Sequence, residues 1–394
     1  MQQLTHPMRV TMVNKYYWPP HLGGVETVVR YLSEGLVERA GASVRAIVAN
    51  EGRERVEDTV AGVSVTRLPR QLALSSAPIA LGMAGEISRD ARGETPPDVM
   101  NLHAPYPWGE LSWLQARPGV PTVFSYHSDI VRQKRLLVAY RPFLERVLDS
   151  VDLITTSSPN LRDNSPFLRS RAEKVRVVDY GLHVEDIANP PGSVLEHAAD
   201  ILAEHRGRPI VLFVGRLVYY KGADVLVRAM ASVDADLVMI GSGPLESELR
   251  EIAVANGVAG RITFLAPVDD ESLHAYYRAA DVFCLPSVAN SEAFGLVQIE
   301  AHAAGTPVVS TNLPTSVPYA NLDGVTGLIV GPGDVPQLAR ALQRLLTDHE
   351  LRERLGQQAR ERALAQFTIP RFVDSMLAVY DEARAIRSEK QGRA

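Results

Sequence analysis

Two glutamates that could bind hydroxyl groups, Glu292 and Glu300, lie eight residues apart where a strand-like run gives way to a helical pattern. Gly295 lies between them, and a glycine allows a ligand to approach the backbone closely. A helix that begins near Phe294 would direct its free N–H groups at a bound phosphate. This indicates recognition of a phosphorylated sugar or nucleotide, with Glu292 at sugar hydroxyls and Glu300 at a ribose. The alternative is a pair of solvated glutamates on a surface helix.

Two cations follow the first strand-like run of the same half of the chain. The loop that ends at Gly222 carries Arg216 and Lys221 and leads into a helical pattern. Arg216 offers a planar fork of donors and Lys221 a mobile point charge, so the pair suits a pyrophosphate. Gly241, in the turn Gly-Ser-Gly-Pro after the next strand, is a weaker signal because glycine is common in turns.

Strand-like apolar runs alternate with helical patterns, which predicts βαβ units and mainly parallel sheets. In the first half the runs are Arg9–Val13, Val44–Val48, Val63–Leu68, Val99–Leu102, Thr122–Tyr126, Leu153–Thr156 and Val175–Val178. In the second half they are Ile210–Val214, Leu237–Ile240, Ile262–Leu265, Val282–Leu285, Val308–Ser310 and Gly327–Val330. The pattern predicts an α/β protein of two Rossmann-like domains that face each other across a cleft and bind ligands at the carboxyl ends of their strands.

Taken together, the motifs of the second half resemble glycosyltransferase family 4, a group of retaining enzymes with the GT-B fold of two Rossmann-like domains. The resemblance rests on five segments in the family's order: G-R-L-x-x-x-K-G from Gly215, G-x-G-P from Gly241, E-x7-E from Glu292 with Phe294, Gly295 and Leu296 inside it, Ala304–Val309, and Asp323–Leu328. It implies transfer of a hexose from a nucleotide-diphosphate sugar to a glycan or lipid-linked acceptor, with retention of configuration.

The first half carries further residues to which the resemblance gives a role. Gly23 and Gly24 form the family's Gly-Gly-x-Glu loop, and His127 follows a strand at the place of a histidine that contacts the donor sugar. His103 has a similar position and is expected at most to line the cleft. The implied catalytic residues are His127 and Glu292. The implied donor-binding residues are Gly23, Gly24, Arg216, Lys221, Gly241, Phe294, Gly295, Leu296 and Glu300.

The resemblance also sets the expected domain limits. We predict an acceptor-side domain over residues 1–183 and a nucleotide-sugar-binding domain over 184–369, with the last segment, 370–394, crossing back to pack on the first domain. The segment 179–183, Asp-Tyr-Gly-Leu-His, departs from the Pro-Asn-Gly-Val-Asp-like hinge of the family and keeps only its glycine.

The segment 129–148 is basic and amphipathic, with a proline at Pro142 that is expected to interrupt its helix. It suits contact with an anionic membrane surface or a phosphorylated acceptor. The alternative is a helix that packs its apolar stripe on the core. Part of this segment resembles bacterial mannosyltransferases that build surface polysaccharides, which favours GDP-mannose as the donor, with UDP-hexoses second.

We expect no metal ion and no cofactor other than the nucleotide-sugar substrate. Asp234 and Asp236 spell the D-x-D pattern that binds a divalent ion in another glycosyltransferase fold, but here they precede a strand in a half that has another phosphate-binding device. Two other functions stay open, a GT-B sugar-nucleotide epimerase and a nucleotide-binding module without catalysis. A dehydrogenase is disfavoured because no full G-x-G-x-x-G opens a helix.

Composition limits the remaining possibilities. A formal net charge of -5 gives no basic field for nucleic acid. No apolar run is long enough to span a membrane, and no signal peptide is visible at the first residues. The single cysteine, Cys284, lies in a strand-like run and fits a reducing compartment. We therefore expect a cytoplasmic protein, and peripheral contact at the inner face of the membrane stays open as an alternative.

Overall fold

The chain forms two compact units. The computed structural model describes residues 6–19, 23–74, 77–129 and 134–392, and gives the backbone alone for Leu74 and for 134–139. The first unit holds the residues up to Gly181 and those from Ile369 onward, and the second unit is Leu182–Thr368. The boundaries therefore fall at 181/182 and 368/369, against expected boundaries at 183/184 and 369/370. Leu182 belongs to the second unit because its N–H donates to the carbonyl of Phe367 at 2.9 Å.

The strands of the first unit alternate with helices. They are β1 (Arg9–Val13), β2 (Ser43–Ala49), β3 (Val56–Val60), β4 (Val63–Leu68), β5 (Leu72–Leu74), β6 (Ala77–Ile79), β7 (Val99–Ala104), β8 (Thr122–Tyr126), β9 (Leu153–Thr156) and β10 (Val175–Val177). Eight of them form one sheet in the order β10-β9-β8-β7-β1-β2-β4-β3. Neighbours in it are parallel, except that β3 runs antiparallel to β4.

The second unit contains a parallel sheet with the strand order of a Rossmann domain. Its strands are β11 (Ile210–Val214), β12 (Asp236–Ile240), β13 (Ile262–Leu265), β14 (Val282–Leu285), β15 (Val308–Thr311) and β16 (Gly327–Val330). They lie in the order β13-β12-β11-β14-β15-β16. The sequence prediction found all six within one residue at each end, because strands buried on both faces read as continuous apolar runs.

Helices connect the strands, as a parallel sheet requires. They are α1 (Gly24–Ala40), α2 (Met83–Arg92), α3 (Pro107–Ala116), α4 (Lys134–Ser150), α5 (Pro159–Asn164), α6 (Val184–Ala188), α7 (Gly192–Glu204), α8 (Ala223–Ala229), α9 (Glu246–Ala255), α10 (Asp270–Ala279), α11 (Leu296–Ala304), α12 (Val317–Ala320), α13 (Val335–Thr347), α14 (His349–Gln366) and α15 (Ile369–Gly392). Among the described residues, none of these helices has the length and apolar character needed to cross a membrane.

The basic segment 129–148 lies mostly in α4. Residues 130–133 and the side chains of 134–139 lie outside the described residues. In the described part, Leu144 and Leu148 are buried in the core of the first unit, whereas Phe143 is exposed. This part therefore packs its apolar stripe on the core, and contact of the segment with a membrane stays a prediction.

The expected helix break at Pro142 does not occur, because α4 continues through it to Ser150. Proline removes one backbone hydrogen bond from a helix. Leu144, Val147 and Leu148 after the proline lie in the core of the first unit, and Tyr140 before it packs against that core. These contacts hold the helix on both sides of the missing bond.

The last helix, α15, packs within the first unit. Gly35 of α1 lies against it, and a methyl group at Gly35 would be 2.7 Å from Val373 Cγ2 and 2.8 Å from Ile369 Cγ2. The hydroxyl of Tyr380 donates to Asn101 Oδ1 at 2.7 Å in the buried interior. These contacts bring the end of the chain back onto the unit where it begins.

A Gly35→Ala variant should therefore unfold at lower denaturant concentration than the native protein. Overpacking a well-packed contact typically costs about 1–3 kcal/mol of unfolding free energy. The matched control is Gly85→Ala, also inside a helix of the first unit, where a methyl group meets nothing within 4 Å. It should stabilise by up to about 1 kcal/mol through helix propensity. Urea unfolding followed by circular dichroism measures both, and equal stability of the two variants would contradict this packing.

Candidate functional site

The predicted cation and glutamate of the second unit are in direct contact. Lys221 Nζ lies 2.6 Å from Glu292 Oε2, and both side chains are about nine-tenths buried, with 11% and 9% exposed. Lys221 ends a short turn after β11, and Glu292 lies in the loop between β14 and α11. The hydroxyl of Ser287 donates to the same carboxylate oxygen at 3.1 Å. The structure thus joins two motifs that are 71 residues apart in the chain (292 minus 221).

Gly241 allows the loops after β11 and β12 to touch through their backbones. Its φ of 145° favours glycine, and a methyl group there would be 2.0 Å from the carbonyl oxygen of Gly215. The N–H of Leu217 donates to the carbonyl of Ser242 at 2.9 Å, which continues the contact. Gly241 therefore shapes the loop that carries Lys221, and any contact it makes with a donor stays a prediction.

Gly295 caps the helix that the E-x7-E segment opens. It has a φ of 74°, and α11 begins at the next residue, Leu296. A methyl group at Gly295 would be 2.5 Å from Leu285 Cδ2, so the position has no room for a side chain. Phe294 is buried and packs edge-on against Phe367, with ring centroids 6.1 Å apart. The helix α11 begins two residues later than the predicted start near Phe294. The free N–H groups of its first turn follow directly after Gly295.

Glu300 is half-buried on α11 and accepts a hydrogen bond from the hydroxyl of Tyr277 at 2.6 Å. Burial raises the pKa of the Glu300 carboxyl, while the Tyr277 hydrogen bond lowers it. Tyr277 belongs to α10, and nothing in its sequence context marked it as a partner of this glutamate. Tyr277 holds one carboxylate oxygen in place, which orients Glu300 for a second contact.

Arg216 differs from Lys221 in its surroundings. It is exposed, and it makes no salt bridge with any residue in the described ranges of the chain. Its charge is therefore available to an anion without breaking an existing pair, whereas Lys221 already holds a carboxylate.

In the first unit, Gly23 and Gly24 lie at the start of α1, directly after the β1 loop. Gly23 is the N-cap residue, and its carbonyl accepts from the N–H of Thr27 at 2.9 Å. The neighbouring carboxylate of Glu26 is buried and lies 2.5 Å from where a methyl group on Gly23 would be. The glycine pair thus stands at a helix N-terminus, the position in which N–H groups can meet an anion.

His127 follows β8 and is buried, with both ring nitrogens engaged. Its Nδ1 lies 2.6 Å from the hydroxyl of Tyr180, and its Nε2 lies 3.0 Å from Nδ1 of His103. The two imidazole rings stack with 10° between their planes. Burial lowers the pKa of His127 to about 3, so the imidazole is neutral at ordinary pH.

The sequence prediction missed two of these partners. His103 was expected at most to line a cleft, but it contacts His127 directly. Tyr180 lies in the segment 179–183, where the chain departs from the family hinge, and so the resemblance carried no expectation for it. The only available signal was position, since both residues lie at or just after the carboxyl ends of strands, β7 and β10.

The D-x-D pair is held by cations at the amino end of β12. Asp234 and Asp236 bind the guanidinium of Arg208 at 2.9 Å and 2.8 Å. Oδ2 of Asp236 also lies 2.8 Å from Nδ1 of His205. Both aspartates therefore have protein partners at the edge of the sheet opposite the carboxyl ends where Lys221 lies.

The fold is shared with known glycosyltransferases. The structure matches sucrose-phosphate synthase from Thermosynechococcus elongatus with a TM-score of 0.78 at 25% identity, over 96% of this chain and 99% of that chain. It matches WaaG, a glycosyltransferase involved in lipopolysaccharide biosynthesis, with a TM-score of 0.69 at 19% identity, over 94% and 98%. The predicted fold class, GT-B, is thereby confirmed.

Sequence comparisons define the family. Residues 22–186 match the model of Glycosyltransferase Family 4, and residues 196–362 match that of Glycosyl transferases group 1. O-antigen chain mannosyltransferase C of Escherichia coli is 32% identical over 376 residues, 95% of this chain and 98% of that protein. D-rhamnosyltransferase WbpZ of Pseudomonas aeruginosa is 34% identical over 361 residues, 92% of each.

The chain belongs to glycosyltransferase family 4. It is a hexosyltransferase that transfers a sugar from a nucleotide sugar to a glycan acceptor. This confirms the predicted enzyme class and disfavours both the epimerase and the non-catalytic binding module.

Acidification should destabilise the first unit through His127. Its imidazole has a pKa of about 3 in the folded protein, against 6.5 for an ordinary histidine. Between these values the unfolded chain binds one more proton than the folded chain, so stability falls as the pH falls. The slope is about 1.4 kcal/mol per pH unit for this one group.

Urea unfolding at pH 7, 6 and 5 measures this slope. The His127→Asn variant should lose less stability per pH unit than the native protein, because the titrating group is gone. Parallel pH profiles for the two proteins would show that His127 does not supply this dependence.

Proposed function

We propose that this enzyme transfers mannose from GDP-mannose to a growing oligosaccharide or a lipid-linked glycan, with retention of configuration and without a metal ion or further cofactor. The observation that carries the choice of sugar is the 32% identity to an O-antigen chain mannosyltransferase over nearly the whole chain. The second relative acts on D-rhamnose by name. D-rhamnose is 6-deoxy-D-mannose, so the two sugars differ by a single hydroxyl group.

The diphosphate of the donor would bind in the second unit, near Lys221 and the N-terminus of α11. Lys221 is mostly buried, so its charge acts on an anion with little screening by water. Arg216 would add a second, solvent-exposed cation. The free N–H groups beyond Gly295 would complete the site, since helix N-termini favour phosphate groups.

Glu292 would bind hydroxyl groups of the sugar. Its Oε2 already accepts from Lys221 and Ser287, an arrangement that suits a fixed hydrogen-bond acceptor better than an attacking nucleophile. Glu300, oriented by Tyr277, would accept from the ribose.

The proposed reaction is a front-face displacement. The bond between the anomeric carbon and the diphosphate oxygen breaks, and the acceptor oxygen bonds to that carbon on the same face. The acceptor proton passes to the leaving phosphate oxygen, so no protein base is required. Lys221 and the helix N-terminus stabilise the departing charge, which is commonly the largest contribution to such catalysis.

Metal independence is proposed because cationic groups of the protein can neutralise the diphosphate and because Arg208 and His205 already occupy the D-x-D aspartates. A cytoplasmic location, with peripheral contact at the inner membrane face through 129–148, remains part of the proposal. It would suit an acceptor carried on a lipid.

The role of Lys221 is tested by comparing GDP with guanosine. In a Lys221→Met/Glu292→Gln double variant, which leaves no buried carboxylate unpaired, the Kd for GDP should rise roughly tenfold or more, while guanosine binding should stay unchanged. Arg228→Met, which removes a cation from the exposed side of α8, is the matched control and should change neither. Equal weakening of GDP and guanosine in the double variant would contradict a phosphate contact.

The reaction itself is tested by product analysis with GDP-mannose, UDP-glucose and UDP-galactose. Mannose should appear on a mannose-terminated oligosaccharide, α-linked as in the donor, and GDP should form only when the acceptor is present. The rate should be the same with EDTA as with manganese. An inverted product, or activity lost in EDTA and restored by manganese, would overturn the corresponding part of the proposal.

A further inference from the structure

Four side chains of the first unit form a continuous hydrogen-bonded series along the carboxyl edge of its sheet. His103 Nε2 lies 3.4 Å from the sulfur of Met12, and His103 Nδ1 lies 3.0 Å from His127 Nε2. His127 Nδ1 lies 2.6 Å from the Tyr180 hydroxyl. Met12 is on β1, His103 on β7, His127 directly after β8, and Tyr180 after β10. The series follows the order of the strands in the sheet.

The methionine determines where the protons lie. A thioether sulfur accepts hydrogen bonds weakly and cannot donate, so the hydrogen bond between Met12 and His103 requires the proton on His103 Nε2. A neutral imidazole with a proton on Nε2 has a bare Nδ1, which must accept from His127 Nε2. His127 then has a bare Nδ1 that accepts from the Tyr180 hydroxyl.

Neither imidazole carries a second proton that would change this assignment of the protons. Burial lowers the pKa of both imidazoles, and the neighbouring His127 lowers that of His103 further. Both rings are therefore neutral, and each has one donor and one acceptor nitrogen. At the other end of the series, burial raises the pKa of Tyr180, and the side chain of Ser157 is a second hydrogen-bond partner of its hydroxyl.

We propose that Met12, His103 and Tyr180 are positioning residues that hold His127 in the tautomer with its proton on Nε2, and that the enzyme uses His127 in this single form. The role in transfer rests on the function proposed above. In this form His127 Nε2 donates to His103 and Nδ1 accepts from Tyr180, so the imidazole takes no proton from the acceptor. The imidazole of His103 and the phenol of Tyr180 restrain rotation of the His127 ring, because each of its nitrogens already has a partner.

The tautomer is tested directly by NMR of the full-length protein labelled with ¹⁵N-histidine. Two-bond proton–nitrogen correlations distinguish the two neutral tautomers, and the variants His103→Gln and His127→Gln assign the two signals. Both rings should show a protonated Nε2 and a bare Nδ1. A protonated Nδ1 on His127 would overturn the proposal, whatever the activity of the enzyme.

The variant Met12→Leu tests the sulfur, because leucine nearly conserves the volume of the side chain and removes the hydrogen-bond acceptor. His103 then gains nothing from a proton on Nε2, and the series can reverse its direction. A protonated Nδ1 on His127 should become detectable. The matched control is Met100→Leu, a buried methionine on the neighbouring strand β7, and it should leave both tautomers unchanged.

Steady-state kinetics with GDP-mannose connect the tautomer with the reaction. Met12→Leu should lower kcat by roughly fivefold with the donor KM unchanged, because the reactive form becomes a fraction of the population. Met100→Leu should change neither constant.

The variant Tyr180→Phe removes the partner of His127 Nδ1 and leaves the sulfur of Met12 in place. Nε2 of His127 should therefore stay protonated, and the NMR signal of its Nδ1 should shift to that of a nitrogen without a hydrogen bond. The kcat should fall.

The two proposals fail in different ways. If Met12→Leu mixes the tautomers but leaves kcat unchanged, the positioning role is wrong. If the native protein shows the expected tautomers but transfers no sugar from GDP-mannose, the proposed donor is wrong and the proton assignment stands. If Met12→Leu and Met100→Leu lower kcat equally, the effect is one of core packing, and the sulfur has no special role.

Discussion

Backbone hydrogen bonding between parallel neighbouring strands is the constraint on which both candidate sites depend. Parallel strands have their carboxyl ends at the same edge of a sheet, so the loops that follow them meet there. In the second unit β11 pairs with both β12 and β14. The loops after these three strands therefore lie together, which brings Lys221 to Glu292 and the backbone of Gly241 to that of Gly215. In the first unit the same rule brings Met12, on β1, to His103 on β7.

The two candidate sites stabilise their buried polar groups in different ways. In the second unit, Lys221 and Glu292 form an ion pair, and removing either partner would leave a charge with little water around it. In the first unit, burial keeps the two histidines uncharged and a series of hydrogen bonds satisfies them instead. A charged pair suits binding of a diphosphate, which offers Lys221 a new partner. A neutral series suits a residue whose protonation must not change.

These arrangements agree with the family to which the chain belongs. The proposed reaction requires the enzyme to hold a leaving diphosphate and a sugar. The pair of Lys221 and Glu292 lies beside the N-terminus of α11, and so cation, carboxylate and helix N–H groups occur within one unit. The D-x-D aspartates lie at the other edge of the same sheet, each with a cationic partner, which explains why a pattern typical of another fold has a structural role here.

The sequence alone determined every strand of the two large sheets except β3, the glycosyltransferase family and the positions of the motif residues. It could do so because buried parallel strands and glycines at tight loops leave local patterns. It missed β3, whose side chains are almost all exposed and give no apolar alternation. Only the tertiary structure decided that Lys221 holds Glu292 and that Tyr277 orients Glu300. It also decided that Tyr180 and His103 contact His127, and that Met12 contacts His103. Each of these contacts joins residues from separate strands or helices, and strand order, which no local pattern encodes, brings them together.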